Sequence, residues 1–90
     1  MLPIKAHWFD MIASGEKLEE YRSDSPYYQA RFNKHLGKNI NVLIRNGYSQ
    51  SCRTLLCNVT PFRRVGGRAE WGASPDEPYI AFKINSRQLL

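Results

Sequence analysis

The sequence predicts one small α+β domain with two short helices and a curled, mostly antiparallel sheet. Three observations carry this. The chain has 90 residues, enough for a single domain. Its segments run strand, helix, strand, helix and then three further strands, the first two strands separated by a helix. Turn signals between the later strands allow them to pair as hairpins. Spacing alone leaves a small barrel and an open two-layer sandwich equally compatible.

The elements follow in order. Leu2 to Lys5 is a short apolar strand. From His7 to Ser14, Trp8, Met11 and Ile12 recur at helical spacing with Phe9 and Ala13 alongside, and Gly15 supplies a left-handed C-terminus. Lys17 to Ser23 reads as a polar strand, with Leu18, Glu20 and Arg22 on one face and Glu19 and Tyr21 on the other. So much charge suits an exposed strand or the wall of a polar cleft. Asp24 or Ser25 caps a second helix with Pro26 in its first turn; Tyr28, Phe32 and Leu36 form its apolar stripe and Gly37 closes it.

Ile40 to Arg45 is the third strand. Its consecutive Val42, Leu43 and Ile44 suggest cover on both faces. Asn46-Gly47 is a strong turn signal, and Cys52 to Phe62 is the fourth strand, broken by Gly66-Gly67. Arg68 to Pro78 is an irregular loop. Tyr79 to Asn85 is the last strand, with Ile80, Phe82 and Ile84 alternating inward.

Charge is distributed unevenly. The net charge is +5, and between Ser25 and Ala69 there are Arg31, Lys34, Lys38, Arg45, Arg53, Arg63, Arg64 and Arg68 but no Asp or Glu. A one-sign central segment implies a positive surface patch and a polyanionic partner, against the blander reading of a solvated basic face. Two Trp, five Tyr and four Phe argue against disorder. No apolar run approaches the ~20 residues of a membrane span, and the N-terminal residues lack a signal-peptide core, so a cytoplasmic chain with no membrane partner is expected. Cys52 and Cys57 are then expected to stay reduced. Their spacing is not that of a zinc site, and no metal or other cofactor is expected.

The densest chemistry lies in Gly15-Glu16-Lys17-Leu18-Glu19-Glu20-Tyr21-Arg22. This segment resembles the G-x-K-x-x-E-x-R signature of the activating-signal-cointegrator-homology (ASCH) family, met at Gly15, Lys17, Glu20 and Arg22. Leu2 to Lys5 with Trp8-Phe9, Arg45-Asn46-Gly47-Tyr48, Glu70-Trp71-Gly72 and the last apolar strand extend the resemblance to small single-domain bacterial or phage members, over nearly the whole chain. The resemblance implies a PUA-like fold, a compact β-barrel of about five strands flanked by two helices, and so favours the barrel. It also implies a cleft beside the motif for RNA or a modified nucleoside or nucleotide. Some relatives are enzymes, small amidohydrolases of acetylated cytidine and a ribonuclease, in which the motif lysine belongs to the active site. The amidohydrolases carry threonine where this chain has Glu20, and use a second carboxylate for which Glu70 is the nearby candidate here.

On their own chemistry, Lys17 can donate to a phosphate or base carbonyl or, if desolvated, act as base or nucleophile. Glu20 can accept from an exocyclic amine or hold Lys17. Arg22 offers a planar fork to phosphate or to Glu20. Strict alternation puts Lys17 opposite Glu20 and Arg22, so the three meet only if Lys17 belongs to the turn after Gly15 or a bulge intervenes. Otherwise they brace the strand as ion pairs. Tyr21, Tyr48, Trp71 and Tyr79 are candidate stacking surfaces, or simply packing. Arg45 and Asn46 could reach the same cleft, or Asn46 serves only the hairpin turn. Arg63, Arg64 and Arg68 could clamp phosphate or remain solvated. Three functions stay open: a binding module for RNA or a nucleotide, a hydrolase resting on Lys17 and Glu20, and a protein-interaction accessory domain.

Overall fold

Alternating apolar residues build the sheet and thereby fix where the polar side chains go. The computed structural model describes residues 1–47 and 52–90. Its elements are β1 (Leu2–Pro3), α1 (Ala6–Ser14), β2 (Glu19–Ser23), α2 (Pro26–Phe32), β3 (Ile40–Arg45), β4 (Thr54–Val65) and β5 (Pro78–Leu89). Short 3-10 turns follow α2 at Asn33–His35 and interrupt the loop after β4 at Ala69–Trp71. One five-stranded sheet has the order β1-β3-β4-β5-β2. β1 runs parallel to β3, and the other neighbours are antiparallel. The α+β class with five strands and two helices is as the sequence predicts. The sheet is mixed and curled, a half-barrel whose edges are β1 and β2.

The core lies on the concave face. Leu2, Phe9, Ile12, Phe32, Ile44, Leu55, Cys57, Val59, Ile80 and Phe82 pack there as one cluster. Helix α1 contributes Phe9 and Ile12, leaving Trp8 and Met11 half-buried. That differs from the stripe expected through Trp8, Met11 and Ile12. Ser25 caps α2 by accepting from the Tyr28 backbone N–H, with Pro26 in the first turn.

Several expected boundaries move. The third strand is covered on one face only: Val42 and Ile44 are buried, whereas Leu43 is 38% exposed. Among the described residues no layer lies over the convex face at that point, so three consecutive apolar residues do not mark a doubly covered strand here. β4 begins two residues later than expected and runs on to Val65, and β5 continues to Leu89, because the two pair with each other along almost their whole lengths. α2 stops at Phe32, and Leu36 lies beyond the following 3-10 turn. The expected strand from Lys17 starts only at Glu19, and the first strand ends at Pro3.

Among the described residues, no helix is long and apolar enough to cross a membrane.

Candidate functional site

The turn that ends α1 decides the position of Lys17. Gly15 adopts φ +86°, and the backbone N–H groups of Glu16 and Lys17 both donate to the Met11 carbonyl, at 3.0 and 2.9 Å. Lys17 therefore belongs to the helix cap and escapes the alternation of β2. Its side chain can turn to the same side as Glu20 and Arg22.

There it forms a compact charged knot. Lys17 Nζ donates to Glu20 Oε1 at 2.8 Å, and Arg22 Nη2 donates to Glu20 Oε2 at 2.7 Å. Arg22 Nη2 also donates to the Pro3 carbonyl at 2.8 Å, and Nη1 donates to the Tyr28 hydroxyl at 3.4 Å. The guanidinium thus joins β2 to β1, the two edges of the sheet. Lys17 is 2% exposed and Glu20 5%. The ammonium lies 4.4 Å from the Trp8 ring centroid and 6.0 Å from that of Tyr21.

A second group gathers beside β2 and β5, where outward-facing Glu19, Arg64 and Lys83 meet the inward Ile84. Leu18, Glu19, Arg64, Arg68, Trp71, Lys83 and Ile84 line an open cleft of about 430 Å³. Three of these side chains are cationic and one is aromatic. Glu19 anchors the wall: its Oε1 accepts from the Tyr21 hydroxyl at 2.7 Å and from Arg64 Nη1 at 3.1 Å. The Arg68 backbone N–H donates to the Tyr21 hydroxyl at 3.1 Å, and the Arg68 guanidinium lies 4.7 Å from the Trp71 ring centroid. Burial pushes the Tyr21 phenol up to about 12; the Arg68 N–H opposes the shift, and the neighbouring Glu19 carboxylate adds to it. Tyr21 therefore stays a neutral donor to Glu19 at physiological pH. Arg68 Nε also donates to Glu70, which holds that exposed carboxyl below its usual range.

The loop from Gly66 to Glu77 forms the other wall. It is closed by the Gly66 N–H donating to the Glu77 carbonyl at 2.8 Å. Gly67 sits against the Tyr21 ring and Gly72 against Trp8, where an added Cβ would come within 2.8 and 3.0 Å of ring carbons. The loop thus rests on the two aromatic rings that flank Lys17. It leaves the Lys17–Glu20–Arg22 knot behind the cleft rather than in its lining.

The remaining predicted residues separate. Arg63 turns toward Asp24, at 3.6 Å, and donates to Asn33, away from Arg64. Arg45 ends β3 near the Met1 sulfur, at 3.9 Å. The Asn46 backbone N–H donates to the Arg53 carbonyl at 3.0 Å, as a hairpin turn requires, and Asn46 lines a separate depression of about 430 Å³ with Pro3, Ile4, Lys5 and Gly47. Tyr48 lies outside the described residues. Tyr79 is buried, donates to Glu77 Oε2 at 2.6 Å and accepts from the Ser74 N–H. Among the described residues, no group of three or more His, Cys, Asp or Glu comes together as metal ligands do.

Sequence reasoning missed Leu18, Glu19, Lys83 and Ile84 as cleft residues. The signal for Lys83 was present, since inward Ile80, Phe82 and Ile84 leave position 83 facing outward. The comparisons with protein-family models, curated proteins and solved structures each find no match to this chain.

Proposed function

We propose that this domain is a binding module for RNA or a nucleotide, and that its ligand occupies the cleft between Leu18–Glu19, Lys83 and the 66–77 loop. The observation that carries the reading is the lining itself: Arg64, Arg68 and Lys83 around Trp71 in one concavity. Cations supply sequence-independent attraction to phosphate, and the buried Trp71, beneath the Arg68 guanidinium, gives the cleft an aromatic floor for a base. Lys83 makes no ion pair with a described residue, so its charge is available to a phosphate. Glu19 Oε1 is occupied by Tyr21 and Arg64, which leaves Oε2 to accept from an exocyclic amine such as cytosine N4. The net charge of +5 adds a positive field, although Arg53, Arg63, Arg64 and Arg68 of the acid-free central stretch pair with Asp10, Asp24, Glu19 and Glu70. The resemblance to the ASCH family supports the same ligand class and a PUA-like fold.

In this reading Lys17, Glu20 and Arg22 support the cleft from behind. Glu20 sets the knot, and Arg22 ties the two sheet edges together. A hydrolase would need Lys17 to reach its substrate, and the buried pair with Glu20 weighs against that.

The test is a fluorescence-anisotropy titration with mixed RNA oligonucleotides and nucleoside monophosphates at about 50 and about 200 mM salt. Affinity is expected to fall as salt rises, and Lys83→Gln is expected to reduce the salt slope by about one. Indifference to RNA and nucleotides would overturn the reading and leave the basic face to a protein partner. Turnover of RNA or an acylated nucleoside by wild type, abolished in Lys17→Ala, would instead make Lys17 catalytic.

A further inference from the structure

The convex face continues beyond the cleft. Thr60 stands directly opposite Lys83 in the β4–β5 register, and from it a chain of side-chain hydrogen bonds crosses three strands. Thr60 Oγ1 donates to Asn39 Oδ1 at 2.6 Å. Asn85 Nδ2 donates to Thr60 Oγ1 at 2.9 Å and to Asn58 Oδ1 at 3.1 Å. Asn58 Nδ2 donates to Asn41 Oδ1 at 3.1 Å. The ladder spans ~10 Å from β5 to β3, given the usual strand spacing.

With the amides oriented in this way, the unspent groups follow. Asn85 has used both N–H groups and presents its Oδ1. Asn58 retains one N–H and one lone pair. Asn39 and Asn41 each keep an NH2 that makes no bond to a described residue. A side-chain amide with one donor and one acceptor left over matches the edge of a nucleobase, as Asn does with adenine.

Two features set this ladder apart from ordinary solvated surface. Strands avoid Asn, yet β3, β4 and β5 each place one at the same level. Asn85 is also the extra residue of an irregularity: Asn58 pairs with Ser86, and Val59 with Ile84. Bulges of this kind re-aim a side chain beside functional sites. Along β4's outward row, half-buried Phe62 stands between Thr60 and cleft residue Arg64 and offers a ring for stacking.

We infer that this amide ladder is a base-reading surface, continuous with the cleft, for a single-stranded nucleic acid longer than one nucleotide. The inference rests on the nucleotide reading of the cleft and extends it. Phosphates would lie along Lys83 and Arg64, while one base is read by Asn58 and its neighbours. No Asp or Glu occurs in β3 or β4, so the face suits a polyanion better than a neutral ligand.

The experiment compares wild type, Asn58→Ala and Asn58→Thr. Thr is a good strand former, so it keeps the test alive if the alanine variant folds poorly. The probes are labelled homopolymeric octamers of A, U and C as RNA and as single-stranded DNA, together with AMP and CMP. The expected result is one preferred homopolymer, bound about tenfold more weakly by both variants with an unchanged salt slope, and unchanged affinity for the mononucleotides. Variants that bind every octamer as wild type does would overturn the ladder while leaving the cleft intact. Loss of mononucleotide and octamer binding already in wild type would overturn both.

Discussion

Glu20 holds two cations with one carboxylate, and both contacts are buried or nearly so. Removing it leaves Lys17 buried without its counter-charge. Breaking a buried pair from one side typically costs about 3–5 kcal/mol, so Glu20→Ala is expected to lower stability by about that much in urea denaturation. Replacing both partners, as in Lys17→Met with Glu20→Leu, is expected to recover most of the loss, because no buried charge is then stranded. Arg22 would still lose its bond to Glu20, which limits the recovery. Tyr21 gives a pH dependence with a definite sign. Its phenol is raised from 10.0 to about 12, so the folded state favours the protonated form. The stability it contributes is fully present below pH 10.0 and is lost as the pH rises toward about 12. Tyr21→Phe is expected to flatten the alkaline limb of a stability–pH profile; an unchanged limb would place the effect elsewhere.

At the scale of elements, the 66–77 loop decides whether the cleft exists. Gly66 has φ +77°, and a Cβ there would lie 2.5 Å from the Pro75 carbonyl oxygen, a backbone atom that cannot swing aside. Gly66→Ala is expected to cost at least ~1–2 kcal/mol from the left-handed conformation alone. It is also expected to weaken mononucleotide binding, because Arg68 and Trp71 ride on this loop. Thermal denaturation with a nucleotide titration checks both. The α1 cap is the other decisive element. Gly15 at the end of a helical pattern is readable from sequence. That the next two residues stay in the cap, and so bring Lys17 round to Glu20, depends on hydrogen bonds to Met11 that no pattern announces. The third strand shows the opposite failure. Val42-Leu43-Ile44 reads as doubly covered, whereas Leu43 is exposed between buried Val42 and Ile44, which makes it an ordinary one-faced strand.

At the scale of the whole molecule, the sheet is best tied at its centre and least at its edges. β4 is paired along both sides, whereas β1 has two residues and one neighbour, aided by the Arg22 bond to Pro3. Amide hydrogen exchange is therefore expected to be slowest in β4, and Arg22→Met is expected to speed exchange of the Ile4 N–H, which donates to Arg45, well before that of β4. Equal acceleration throughout would mean that the edges and centre open as one unit. The sequence by itself determined the α+β class, the number and order of strands and helices, the inward set on the last strand and the excess of positive charge, because these rest on local periodicity, glycine and proline chemistry and composition. It also singled out Lys17, Glu20 and Arg22 as a unit. Only the tertiary structure decided that this unit lies buried behind the cleft, that Arg63 and Arg64 diverge, and that Lys83 and the asparagines of three strands share one face. Those outcomes depend on register, on the curl of the sheet and on where a loop comes to rest, and each is set by contacts between residues far apart in the chain.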